Sequence, residues 1–99
     1  MRTLYEWDPK KAIINLRKHG ISFETAVHVF SDPCAIVDQD RIENGEQRWQ
    51  TIGIVDGILM ILVAHTVREK ADFEVVRIIS ARRVTQNERR RYEKENGYL

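Results

Sequence analysis

V-V-R-I-I-S-A-R-R, residues 75–83, reads as a strand that ends in two arginines. Val75, Val76, Ile78 and Ile79 are β-branched, and neither Gly nor Pro interrupts the run. Directly after it, T-Q-N-E (85–88) has the pattern of a capping box, which opens a helix. Arg82 and Arg83 are therefore expected at the end of a stiff strand, at a strand–helix junction. A guanidinium stays ionised and forks onto phosphate oxygens, so this basic edge is expected to handle a phosphodiester.

The preceding chain supplies the neighbours of that strand. Residues 48–55 alternate in polarity, Asp56-Gly57 marks a tight turn, and 58–66 is the mating strand. A charged loop, 68–72, leads into the strand beginning at Phe73, so three strands on short turns make an antiparallel meander. Residues 35–38 add a short strand, and the polar stretch 39–46 is expected to be a loop with a turn at Asn44-Gly45. At the N-terminal side, R-T-L-Y-E (2–6) is a short first strand. Asp8-Pro9 starts a helix to about Lys18, with Asp8 as cap, Trp7 as staple, and Ala12, Ile13 and Leu16 as its apolar face. Gly20 ends it, and Ser22 caps a second helix that buries Phe23, Ala26, Val27 and Phe30 and stops at Asp32-Pro33. The last helix, 86–96, has Tyr92 as its main apolar residue. The order β-α-α-β-β-β-β-α is an α+β class, with the helices expected on one face of an antiparallel sheet.

Ninety-nine residues suit one domain spanning 1–99. Net charge is only +1, so global attraction to nucleic acid is weak. Its distribution is uneven: from Arg77 to Lys94 seven basic residues stand against two acidic ones. Cys34 is the single cysteine, which fits a reducing cytoplasm. No apolar leader opens the chain, and the longest apolar run, 58–64, falls far short of the ~20 residues that span a bilayer. No membrane partner is expected.

W-D-P-K-K-A (7–12), N-L-R-K-H-G-I-S-F-E-T-A (15–26), V-F-S-D (29–32), G-E-Q-R (45–48), H-T-V-R (65–68) and R-I-I-S-A-R-R (77–83) with E-R-R-x-Y-E (88–93) resemble the BrnT family, strung in the family's order. The resemblance implies a toxin of a bacterial type II toxin–antitoxin system, with a fold similar to the RelE toxins. It implies metal-independent RNA cleavage without a cofactor. It also implies a BrnA-like antitoxin with a ribbon-helix-helix domain, and contact with operator DNA only through the toxin–antitoxin complex.

Metal-free cleavage of RNA needs a base for the 2′-hydroxyl, a cation for the phosphorane oxygens, and an acid for the leaving 5′-oxygen. Arg82, in the family's I-S-A-R word, is the expected transition-state stabiliser. His65 and Arg68, in H-T-V-R, are candidates too; His65 titrates near neutrality, or is a buried hydrogen-bonded histidine. Arg68 should meet the start of strand 73–81 and not its Arg82 end. Lys18 and His19 at a helix C-terminus either offset the dipole or contact phosphate and donate a proton. Arg77, Arg83, Arg89, Arg90 and Arg91 are expected to bind RNA, the last three beside Tyr92 or as a solvated helix face. Glu46 and Arg48 suit a salt bridge, a partner contact or, for Glu46, a general base. His28 is expected to pack. No residue pair has metal-ligand spacing. The competing reading is a non-catalytic module that only binds nucleic acid or the antitoxin.

Overall fold

The fold is described by a computed structural model covering residues 2–97. Strand β4 (Leu59–Glu69) is the middle of a five-stranded sheet in the order β1-β5-β4-β3-β2, with β1 Arg2–Glu6, β2 Ile36–Glu43, β3 Glu46–Val55 and β5 Phe73–Arg83. Its central place follows from its sequence: the apolar run has no polar side to give to solvent. The α+β class and the meander β2-β3-β4-β5 stand as expected. The hairpin turns do too, with Asn44 and Asp56 both at φ 54° and each followed by a glycine.

Three features differ from expectation. First, β1 pairs in parallel with β5, with Arg2 opposite Phe73 and Glu6 opposite Arg77. A parallel neighbour needs a long crossover, and everything between residues 6 and 73 serves as one. Second, the helices cover both faces. Helices α1 (Pro9–His19) and α2 (Phe23–Ala26), with a 3-10 turn at Val27–Ser31, pack on Ile61 and Val63. Helix α3 (Gln86–Glu95) sets buried Tyr92 against Met60 and Leu62 on the other side. Alternation along β4 sends these pairs to opposite faces, and both are apolar. Third, residues 39–43 belong to edge strand β2, whose polar sequence reads as loop because little of it is buried.

Asp32 ties the two layers together. Its Oδ1 accepts from the Cys34 N–H at 2.8 Å, and its Oδ2 from the Ile54 N–H at 2.8 Å and the Tyr92 hydroxyl at 2.7 Å. Burial works to raise its pKa, but these donors together hold the carboxyl below its usual value.

One irregularity decides which arginines share a face of the sheet. Strand β5 carries a bulge at Ile79, where the register to β4 shifts. Arg77 lies opposite Thr66 and Arg82 opposite Leu62, and those partners are four apart on β4. Arg77 and Arg82 therefore share a face, the one that α3 partly covers.

Candidate nucleic-acid interface

On that face the arginines are already paired. Arg48 Nη1 lies 2.9 Å from Glu43, and Arg77 Nη2 donates to Glu46 at 2.6 Å. Arg82 forks onto Glu88 through Nη1 at 2.8 Å and Nη2 at 3.0 Å. Arg91 forks onto Asp38 and donates to Glu95 at 3.2 Å. Glu88 also accepts from the Thr85 N–H at 2.8 Å, completing the capping box of α3. The Arg82 guanidinium, with help from that N–H, pushes the Glu88 carboxyl down to about 2. The same pair raises the Arg82 pKa, chiefly through the hydrogen bonds that the guanidinium donates to Glu88.

Helix α1 is the opposite case. Its sequence, P-K-K-A-I-I-N-L-R-K-H, contains four ammonium or guanidinium groups and no carboxylate. Asp8 caps it by accepting from the Lys10 N–H at 2.8 Å. Among the described residues, none of Lys10, Lys11, Arg17 and Lys18 lies in an ion pair. Buried Asn15 holds α1 to the free edge of β5.

Between α1 and β5 lie two concavities that share Lys11 and Ile79, the bulge residue. One, of about 240 Å³, is lined by Asp8, Lys11, Asn44, Arg48, Arg77, Ile78 and Ile79. The other, of about 200 Å³, is lined by Lys11, Ile14, Asn15, Lys18, His19, Ile79 and Ser80. Together they form a cationic strip.

The strip brings Lys18 and His19 into line with Arg77. Lys11 and Arg48 join them; Lys11 was not a candidate from sequence, and Arg48 was expected in a salt bridge or a partner contact. For Lys11 a signal existed: Lys10 and Lys11 occupy the first turn of a helix, where the dipole disfavours cations and the Asp8 cap is the nearest acidic group in sequence.

The other candidates stand elsewhere. His65 is buried on the α1 face, with Nε2 2.8 Å from Thr51 Oγ1 and its ring edge-on to Phe30 at 4.9 Å. Among the described residues its Nδ1 has no partner in good hydrogen-bond geometry. Burial pushes the imidazole down to about 4, against a smaller opposing effect of the Thr66 backbone. Arg68 is exposed, opposite Val75, and paired with Glu6 at 2.6 Å. Arg83 faces away from Arg82. Arg89 and Arg90 are exposed on α3, and His28, expected to pack, is exposed as well.

The family model for the BrnT ribonuclease toxins of type II toxin–antitoxin systems matches residues 7–88, which includes every residue of the cationic strip. This chain belongs to that family. Among solved structures, the Brucella abortus ribonuclease toxin BrnT superposes with a TM-score of 0.63 at 24% identity, covering 87% of this chain and 100% of that one. At that identity the likeness shows the shared fold. No curated protein matches the chain in sequence. As a BrnT-family protein it is thus a ribonuclease-toxin homologue whose matched region holds β2 to β5, α1, α2 and the α1–β5 strip, while β1 precedes it and α3 runs past its end. No helix among the described residues is long and apolar enough to cross a membrane.

Proposed function

We propose that this BrnT-family toxin binds and cleaves RNA along the α1–β5 strip, without a metal or other cofactor. Lys11 and Lys18 hold the scissile phosphate and offset the charge that grows on its oxygens, with Arg77 and Arg48, tied to Glu46 and Glu43, at the rim. His19, the imidazole on the strip, and Glu46, which grips Arg77, are the groups that move protons between the 2′-hydroxyl and the 5′-oxygen. Arg83, Arg89 and Arg90 extend the electrostatic contact with the strand. In this reading Arg82 and Arg91 stabilise α3, Arg68 ties β4 to β1, and His65 belongs to the core. The antitoxin is of the BrnA-like ribbon-helix-helix type and reaches operator DNA as part of the complex in the cytoplasm.

The observation that carries this reading is the contrast in pairing: the arginines of the sheet face have carboxylate partners, whereas the lysines of α1 lining the strip have none. The test is cleavage of RNA by purified protein in EDTA. Lys11→Ala and Lys18→Ala should each lower the rate by about 10²-fold with unchanged circular dichroism. Intact RNA after incubation with the wild-type protein would refute it. A non-catalytic module is favoured by one observation, the burial of His65, which removes an acid–base candidate. That alternative requires RNA to be retained uncut.

A further inference from the structure

Helix α1 has an outer apolar surface of which only Ile14 also lines the strip. Ile13, Ile14 and Leu16 are 53%, 60% and 50% exposed, an unusual density of large apolar side chains on one short helix. On one flank, Ile13 and Leu16 line a shallow groove of about 170 Å³ with Ala12, Ser22, Phe23 and Glu24. On the other flank is the concavity of Lys11, Lys18 and His19. Lys10 and Arg17 stand exposed on the same helix, without ion-pair partners among the described residues. An apolar groove on one side and unpaired cations on the other is the complement of an amphipathic segment with one apolar and one acidic side.

We propose that α1 is a docking helix for an acidic amphipathic segment of the antitoxin. The apolar side chains of that segment fill the Ile13–Leu16 groove, and its carboxylates lie over Lys10, Lys11, Arg17 and Lys18. A segment seated this way covers the strip and neutralises it, so its effect on activity rests on the nuclease reading above; the docking itself does not. RNA is the poorer fit to this outer surface, because Ile13 and Leu16 would stay uncovered among phosphates.

The experiment measures the affinity of full-length toxin for the purified product of the open reading frame adjoining its gene, by calorimetry. Ile13→Glu combined with Leu16→Glu should weaken binding by roughly 100-fold. Both side chains are half-exposed and lie outside the strip, so circular dichroism and RNA cleavage should match wild type. In cells, growth arrest by this variant should no longer be relieved by the antitoxin. Lys10→Glu combined with Arg17→Glu should weaken binding by about 10-fold and flatten its dependence on salt. Wild-type affinity in both double variants would overturn the proposal. A parallel arm with phosphatidylglycerol vesicles tests the lipid alternative: loss of vesicle binding with antitoxin affinity intact would assign the helix to a membrane surface and overturn it too. Wild-type protein that leaves RNA intact would remove the nuclease reading, while the affinities would still decide the docking.

Discussion

Asn15 treats the backbone of Ala81 as a neighbouring strand would. Its Oδ1 accepts from the Ala81 N–H at 3.1 Å, and its Nδ2 donates to the Ala81 carbonyl at 3.0 Å and to the Ile21 carbonyl at 3.0 Å. Strand β1 pairs with β5 only as far as Arg77, so beyond that point α1 takes over the edge. Asn15→Ala would leave buried backbone groups of Ala81 without partners. It should cost roughly 2–4 kcal/mol in urea unfolding, and lower RNA cleavage, because α1 carries Lys11 and Lys18.

The Arg82–Glu88 pair should behave as a clamp on α3. Glu88→Gln weakens both the fork to Arg82 and the cap on Thr85, and should cost about 1–2 kcal/mol of stability. Arg82→Ala should also lower the melting temperature and leave RNA cleavage within about two-fold of wild type, since Arg82 lies outside the strip. A cleavage rate that collapses while the melting temperature holds would return Arg82 to the catalytic set.

Acid should destabilise the protein in two windows. His65 is held neutral by burial, its pKa moved from 6.5 to about 4. As pH falls through that interval the unfolded chain takes up a proton that the folded one refuses, so stability is lost with falling pH. The loss attributable to His65 should approach about 3 kcal/mol. His65→Gln, which can keep a bond to Thr51 and does not titrate, should remove that slope from melting curves recorded between pH 7 and 4. Glu88 acts lower: its contribution is present above 4.5 and is lost as pH falls towards about 2.

Gly53 lies directly beneath the 3-10 turn. A Cβ there would stand 2.8 Å from Val29 Cγ2 and 3.1 Å from Asp32 Oδ2. Gly53→Ala should cost roughly 1–3 kcal/mol, and loosen Tyr92 through Asp32, seen as increased tyrosine exposure in near-ultraviolet spectra.

What could be read from the sequence was local chemistry. Asp8-Pro9, Ser22, the Thr85–Glu88 box and Asn44-Gly45 declare themselves through their own backbone needs, and each sits where expected. The bulge at Ile79 does not, because it is defined by register against β4; the regular alternation of V-V-R-I-I-S would have placed Arg77 and Arg82 on opposite faces. Helix α3 was hard to place for the same reason: one Tyr suffices once Asp32, 60 positions away, receives its hydroxyl. At the site, Lys18, His19 and Arg77 were legible as cations. The partners that occupy Arg68 and Arg91 were not, since Glu6 and Asp38 are 62 and 53 positions distant.

The parallel seam between β1 and β5 also has a temporal meaning. Thr3 meets Glu74 across 71 positions, and α1 settles on the same late strand. During translation, the wall formed by Arg77, Ile79 and Ser80 is missing until the fifth strand emerges. If RNA is cleaved along the strip, a growing chain lacks that cleft until its fifth strand has emerged.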